Sequence, residues 1–327
     1  MKAVVIRAHG DSDVLKLVDV DSPPVGPNQV RVDVGAFGVN RADILQRKGL
    51  YPAPAGAPAE IPGLEYAGVV ESVGPEVRRW SVGDRVMGIT AGGCYAEQVV
   101  VHAREAMAVP SNLSLEEAAV IPEAFLTAWD ALCLQAGMKL GDRILVHAVG
   151  SGVGTAALQL ASACGASVIG TSRSVWKLEA CGELGLEVGL HVHEGRFLNA
   201  LRDATEDAGV DLVLDLVGGA YLKENLKALA EGGTMITVGL VGGARGELNL
   251  GLMLARRLKL VGTVLRSRPL EEKLALALGF ERQILPLFLQ GRLVPVIGAT
   301  FNVGEVGKAH VAVENNSVFG KAVVVWR

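Results

Sequence analysis

Cysteine is scarce in this chain: Cys94, Cys133, Cys164 and Cys181 are spread over 327 residues with no CxxC pair among them. That spacing argues against a disulfide framework and against a four-cysteine zinc lobe, and it reads as reduced thiols packed in a cytoplasmic protein. An excess of either charge is missing too, with 31 Lys plus Arg against 35 Asp plus Glu and a formal charge of −4. No broad basic field is available to draw in a phosphate backbone, so nucleic acid is not an expected partner. Long apolar runs are also lacking. The tract over 118–137 is interrupted by Pro122, Glu123 and Asp130, which denies it a lipid-facing role, so no membrane segment is expected. At the start, Arg7 breaks the run from Ala3 to Ile6 well short of a signal-peptide core, so secretion is not expected and the cytoplasm is.

What is present is the composition of a well-packed globular protein, half hydrophobic and rich in tight turns, with 41 glycines. The length calls for two domains rather than one core. Up to about residue 122, short β-type runs (3–7, 29–37, 68–73, 98–101) alternate with Gly and Pro punctuation such as Ser22-Pro23-Pro24. The stretch 50–58, with Pro52, Pro54 and Pro58, is too proline-rich for helix or central strand and reads as an exposed loop. Beyond Pro122 the rhythm becomes strand, helix, strand, which signals βαβ units and a parallel sheet. Strands are expected at 143–148, 167–171, 211–214, 234–238 and 259–264, with helices at 154–165, 176–184, 196–205 and 222–229. A single long helix is expected over 271–289, and the tail ending in 321–326 is expected to rejoin the first domain.

The strand at 143–148 runs directly into Val149-Gly150-Ser151-Gly152-Val153-Gly154-Thr155-Ala156-Ala157 and then into an apolar helix. This is G-x-G-x-x-A in the setting of a dinucleotide fold. Gly152 permits a tight turn, Gly154 a close backbone approach to a pyrophosphate, and Ala157 tight packing of helix on sheet, with the helix N-terminus facing the anion. An ordinary glycine loop is the alternative. At the end of the second strand there is no acidic residue to accept from a ribose hydroxyl. Ser172, Arg173 and Lys177 stand there instead, a hydroxyl and two cations suited to a 2′-phosphate, and they favour NADPH over NADH.

With these features in place, the chain resembles the zinc-independent quinone oxidoreductases of the medium-chain dehydrogenase/reductase superfamily, the group of zeta-crystallin, and within it the p53-inducible quinone oxidoreductase branch. The likeness rests on Gly38-Val39-Asn40-Arg41-Ala42-Asp43, on Ile121-Pro122-Glu123-Ala124-Phe125-Leu126-Thr127-Ala128, on the glycine loop and on Leu265-Arg266-Ser267-Arg268, spread over most of the length. The resemblance implies an α/β protein. A GroES-like, mostly-β catalytic domain would be formed by 1–122 and 267–327, with a Rossmann doubly wound parallel-sheet domain at 123–266 and the active site in the cleft. It also implies a homodimer joined through the nucleotide domains.

By the same resemblance, Asn40, Tyr51 and Thr127 line the nicotinamide and substrate site, and Gly150, Ser151, Gly152, Val153 and Gly154 hold the pyrophosphate. Ser172, Arg173 and Lys177 hold the adenosine phosphate. Gly239, Leu240, Val241, Leu265, Arg266 and Ser267 close over the nicotinamide half, and Asn316 adds a contact near the C-terminus. Val192 stands where members carry Tyr or His near the adenosine, which leaves His193 to make that contact or leaves it unmade. Zinc-dependent relatives hold their metal on a Cys and a His whose places are taken here by Asn40 and Leu64, so no metal is expected. Without a Lewis acid, an acceptor that delocalises the arriving charge is favoured, a quinone or another conjugated carbonyl compound. The expected reaction is hydride transfer from NADPH to such an acceptor, with Tyr51 and Asn40 either bonding its oxygen or positioning the cofactor and solvent giving the proton. An alkenal, enone or enoyl reductase is the nearest alternative, and a non-catalytic NADPH-binding structural or RNA-binding protein is a second. Asp43 is read as a helix cap.

Overall fold

The computed structural model describes residues 1–193 and 195–326, which divide into two units, one of 1–126 with the tail from 265 and one of 127–264. The first unit opens with β1 (Lys2–Ile6), β2 (Leu15–Asp19), β3 (Gln29–Val39), α1 (Arg41–Arg47) and β4 (Glu65–Val73). It continues through β5 (Arg85–Ile89), β6 (Gln98–His102), β7 (Met107–Ala108), α2 (Leu115–Ala118) and α3 (Pro122–Trp129), whose last turn enters the second unit. The second unit holds β8 (Arg143–Val146), α4 (Gly152–Ala163), β9 (Ser167–Ser172), α5 (Val175–Gly182), β10 (Val188–His191) and α6 (Leu198–Thr205). It closes with β11 (Val210–Asp215), α7 (Leu222–Ala228), β12 (Leu229–Thr237), α8 (Leu250–Ala255) and β13 (Lys259–Gly262). The chain then returns to the first unit as α9 (Leu270–Gln283), α10 (Leu285–Leu289), β14 (Ile297–Asn302), α11 (Val306–Glu314) and β15 (Lys321–Val325).

All pairs of the second unit's sheet are parallel, in the order β10-β9-β8-β11-β12-β13. This is the doubly wound order of dinucleotide folds, in which the strand sequence reverses between β8 and β11 and ligands gather at the carboxyl ends. Leu145, Ile169, Val213 and Met235 bury one face of the sheet against Leu201 of α6 and Leu226 of α7. The first unit's main sheet runs β14-β15-β3-β4-β5-β7, with β6 also on β3. The tail does rejoin the first unit: β15 lies antiparallel to β3, Ala322 opposite Val39 and Val325 opposite Ala36.

Two of the differences from expectation have a local cause. The helix expected over 271–289 breaks at Ile284 into α9 and α10, because Pro286 lacks an N–H and its ring clashes with the turn before it. Proline is tolerated in the first turn, and α10 starts accordingly. The strand expected to reach Ala148 stops at Val146, since Ala148 adopts φ +48° and turns the chain into the glycine loop.

The first core is centred on Phe37, whose ring stacks on Tyr95 at 4.2 Å and is fully buried. Truncating a buried aromatic side chain loses its transfer free energy and leaves a cavity. Phe37→Ala is expected to destabilise the first unit by about 3–5 kcal/mol, and Phe37→Leu by much less, as read from urea unfolding.

Candidate active site

The second unit presents the glycine loop on a fixed base. His147, the residue after β8, is fully buried, with Nδ1 2.8 Å from Thr171 Oγ1 and Nε2 2.7 Å from Asn225 Oδ1. An amide oxygen only accepts, so Nε2 carries the proton and Nδ1 accepts from the threonine hydroxyl. The imidazole is thus a neutral brace between β8, β9 and α7, packed edge-on against Phe197 and Tyr221, and burial pushes its pKa down to about 4. Ser151 caps α4 by accepting from the Gly154 N–H at 3.1 Å. A Cβ on Gly154 would come within 2.4 Å of the Ala148 carbonyl oxygen, so this glycine first serves the loop's own closure. The N–H groups of Gly152 and Val153 carry no hydrogen bond among the described residues and stand at the start of a 12-residue helix. Such donors fit a pyrophosphate.

At the end of β9, the Ser172 hydroxyl accepts from the Ser174 N–H at 3.1 Å, and the Arg173 carbonyl accepts from His191 Nε2 at 3.1 Å. The Arg173 side chain is exposed, whereas the Lys177 stem is buried against Gly150, with its ammonium 5.4 Å from the Trp176 ring. Of the three, the Lys177 stem is the part that lies against the glycine loop, at Gly150. Val192 turns into the core with Leu190 and Phe197, and His193 is exposed. A cavity of about 260 Å³ opens at the carboxyl ends of β11, β12 and β13, lined by Asp215, Gly218, Thr237, Leu240 and Gly262. A larger one of about 420 Å³ lies at the opposite ends of these strands, beside Arg202, Lys227 and Arg256, away from the glycine loop.

In the first unit a buried polar cluster surrounds the start of α1. Lys321 at the head of β15 donates to Asn40 Oδ1 at 2.5 Å and to the Val39 carbonyl at 3.2 Å, and it pairs with Glu65 Oε1 at 2.6 Å. Asn40 Nδ2 donates to the same Glu65 oxygen at 3.0 Å, and the Glu123 N–H donates to Glu65 Oε2 at 2.9 Å. Asp43 caps α1 as expected, accepting from the Asn40 N–H at 2.8 Å and from the Tyr95 hydroxyl at 3.0 Å. Burial raises the Asp43 carboxyl to about 6, and burial followed by the neighbouring Glu65 raises that of Glu123 to about 8.

Tyr51 leads the proline-rich loop. The Arg266 guanidinium lies 5.1 Å from its ring, donating to the Tyr51 carbonyl at 3.4 Å, to Ala91 O at 2.8 Å and to Gln46 Oε1 at 2.5 Å. Burial raises the Tyr51 phenol, and the Arg266 charge opposes that.

Of the expected site residues, Asn40, Tyr51 and Arg266 share the first unit with Leu265, which is buried, and Ser267, which is exposed. Gly150 to Gly154, Ser172, Arg173 and Lys177 share the second with Thr127, Gly239, Leu240 and Val241. Three side chains are held by their own unit. Both ends of the Asn40 amide are engaged, Arg266 is spent on the Tyr51 loop, and the Asn316 carbonyl accepts from Arg41 at 2.7 Å. Sequence reasoning missed Glu65, Glu123 and Lys321 as a cluster. Glu123 was visible only inside a motif read for other residues, and Glu65 only as the neighbour of Leu64. Among the described residues no group of three or more His, Cys, Asp or Glu is placed to hold a metal, and no helix is long and apolar enough to cross a membrane.

A GroES-like unit interrupted by a parallel dinucleotide-binding unit defines a class of nicotinamide-dependent dehydrogenases and reductases, and comparison with known proteins bears this out. Residues 26–111 match the alcohol dehydrogenase GroES-like domain, and residues 152–280 match the zinc-binding dehydrogenase model. An NAD-dependent alcohol dehydrogenase structure is 33% identical with a TM-score of 0.89, covering 100% of both chains. A quinone oxidoreductase from Pseudomonas syringae is 29% identical at TM-score 0.89, covering 99% of each chain. CurK enoyl reductase is 26% identical at TM-score 0.89, over 99% of this chain and 98% of that one. Among curated proteins, a mycocerosic acid synthase-like polyketide synthase of Mycobacterium tuberculosis is 38% identical over 210 residues, 63% of this chain. The chain spans about 10% of that relative's length. The chain belongs to the medium-chain dehydrogenase/reductase superfamily.

Two predictions follow from the geometry. His147 has a folded pKa below its ordinary 6.5, so the unfolded chain binds the extra proton first. The stability this residue contributes is complete above about pH 6.5 and is lost as pH falls towards about 4, roughly 3 kcal/mol in all. Nitrogen NMR should show the His147 ring neutral, protonated at Nε2, until about pH 4. Arg266→Met should raise the Tyr51 phenol further, as read from tyrosinate absorbance against a Tyr51→Phe control.

Proposed function

We propose that this chain transfers hydride from NADPH to a quinone or a similar conjugated carbonyl compound, as a cytoplasmic homodimer. The observation that carries the reading is the state of Asn40. Its carbonyl oxygen holds the Lys321 ammonium at 2.5 Å and its amide nitrogen holds Glu65 at 3.0 Å, at the position where zinc-dependent members place a cysteine ligand. Leu64, at the position of the second ligand, is buried in the core. The oxygen of an acceptor would be met by hydrogen-bond donors, which suffices when the incoming charge spreads over a conjugated system.

The residues for the cofactor fit it. The free N–H groups of Gly152 and Val153 would take the pyrophosphate beside Gly150, Ser151 and Gly154, with Ser172, Arg173 and Lys177 on the 2′-phosphate. Thr127, Gly239, Leu240, Val241, Leu265 and Ser267 would line the nicotinamide half. Bound there, NADPH supplies a hydride from its ring. Tyr51 keeps its phenol proton, since burial raises its pKa, and donates it in a hydrogen bond to the acceptor oxygen. Arg266 and Gln46 hold the Tyr51 loop in place, and Asn40 and Asn316 act through Lys321 and Arg41.

A second reading has its own support. The polyketide synthases and enoyl reductases among the relatives favour an enoyl thioester, in which hydride goes to the C=C bond. NADPH oxidation with quinones, a 2-alkenal, an enoyl thioester and an aldehyde, with products identified, separates these. Fast turnover confined to quinones is the expected result, and a saturated thioester would move the assignment to the second reading. NADPH binding with no turnover of any acceptor would leave a non-catalytic binding protein. A charge-assisted contact is worth about 1.5–3 kcal/mol, so Arg173→Ala should weaken NADPH binding roughly tenfold or more and leave NADH unchanged, by fluorescence titration.

A further inference from the structure

The cluster at the start of α1 and α3 holds three carboxyl groups, Glu65, Asp43 and Glu123, and two cations, Lys321 and Arg266, each within electrostatic reach of Glu123. Glu65 has both oxygens filled by Lys321, Asn40 and the Glu123 N–H, which holds it as the carboxylate. Asp43 accepts two hydrogen bonds on Oδ2, which also favours its charged form. Two negative charges then balance two positive ones. The third carboxyl, Glu123, accepts no hydrogen bond and makes no ion pair among the described residues, and its side chain is half-buried rather than sealed. A third negative charge beside Glu65 would be unbalanced in a low-dielectric setting, so the cluster's extra proton resides on Glu123. Tyr51 and Cys94 feel the same carboxyl.

We propose that Glu123 holds the proton that completes the reduction, an inference that rests on the hydride-transfer reading above. Once hydride has added to the conjugated acceptor, the Glu123 O–H bond breaks and its proton forms a new bond to the resulting enolate or hydroquinone anion. Glu123 is left as carboxylate and takes a proton back from water, so one acceptor, one hydride and one proton make one reduced product. Burial beside Glu65 keeps this carboxyl protonated through neutral pH, up to about 8. Positioned general acids contribute roughly 10²–10⁴-fold to rate.

Glu123→Gln is nearly isosteric with the protonated side chain and should fold and bind NADPH as the wild type does. The first readout is infrared difference spectroscopy of the chain without cofactor: a protonated-carboxyl band should fade as pH rises through about 8 and be missing from Glu123→Gln. The second is the pH profile of kcat/KM on whichever acceptor is turned over, which should fall above about pH 8 in the wild type, whereas the variant is slower by about a hundredfold or more and flat there. Glu123→Asp, which keeps an acid on a shorter stem, should restore part of the rate together with the fall at high pH. A band that survives in Glu123→Gln, or a variant with the wild-type rate and profile, overturns the assignment. A wild type that shows the band but reduces no acceptor overturns the hydride-transfer reading instead.

Discussion

A lysine ammonium withdrawn from water must be paired and fully hydrogen-bonded, or it loses its charge. Lys321 meets that condition through Glu65, Asn40 and the Val39 carbonyl. The pair joins parts of the chain far apart in sequence: the Lys321–Asn40 contact spans 281 residues and the Glu65–Glu123 contact 58. It fixes where β15 enters the sheet beside β3, how α1 leaves β3, and where α3 begins. Removing one partner from a buried pair of this kind typically costs about 3–5 kcal/mol, because the other charge is left stranded. The same pair fills both ends of the Asn40 amide, which is thereby committed to holding the cluster together.

From that commitment follows the division of labour in the first unit. With Asn40 engaged, the proposed reaction turns to the Tyr51 hydroxyl, and Arg266 holds the loop that carries it. A second chain of contacts runs behind the cluster, in which Arg47 faces His310 Nδ1 at 3.5 Å and His310 Nε2 lies 3.0 Å from the Tyr95 hydroxyl. Tyr95 in turn donates to Asp43, so its hydroxyl oxygen accepts from Nε2–H and Nδ1 accepts from the guanidinium. That arrangement requires a neutral imidazole, consistent with burial pushing His310 down to about 3. The network anchors Asp43 and fixes which of its oxygens is used.

Local signals carried much of this architecture into the sequence. Alternating apolar strands and helices marked the second unit, and the glycine run between β8 and α4 marked the turn that joins them, because both depend on neighbours within a few residues. The break at Pro286 was equally local but was overridden by the apolar spacing on either side. The buried cluster was not legible. Glu65, Glu123 and Lys321 have ordinary local contexts, and their chemistry arises only when β4, α3 and β15 converge. The acceptors of Arg266 were hidden for the same reason, since nothing near it in sequence reveals Gln46 or Ala91.

The two units solve opposite electrostatic problems with the same means. In the second, the N–H groups of Gly152 and Val153 carry no hydrogen bond among the described residues, and the loop that bears them rests on the uncharged His147. In the first, charges are gathered in a buried cluster, in which Lys321 pairs with Glu65 and Asp43 accepts from Asn40 and Tyr95. At the Glu123 carboxyl a proton can be gained or lost without breaking a hydrogen bond, because it accepts none among the described residues. Asp43 also has a buried oxygen, Oδ1, without a partner among the described residues, but Lys321 and Arg266 favour its charged form, whereas the neighbouring Glu65 opposes that of Glu123. Protonation can therefore cycle at Glu123 while the surrounding structure stays fixed, which is what a group that repeatedly gives and recovers a proton requires.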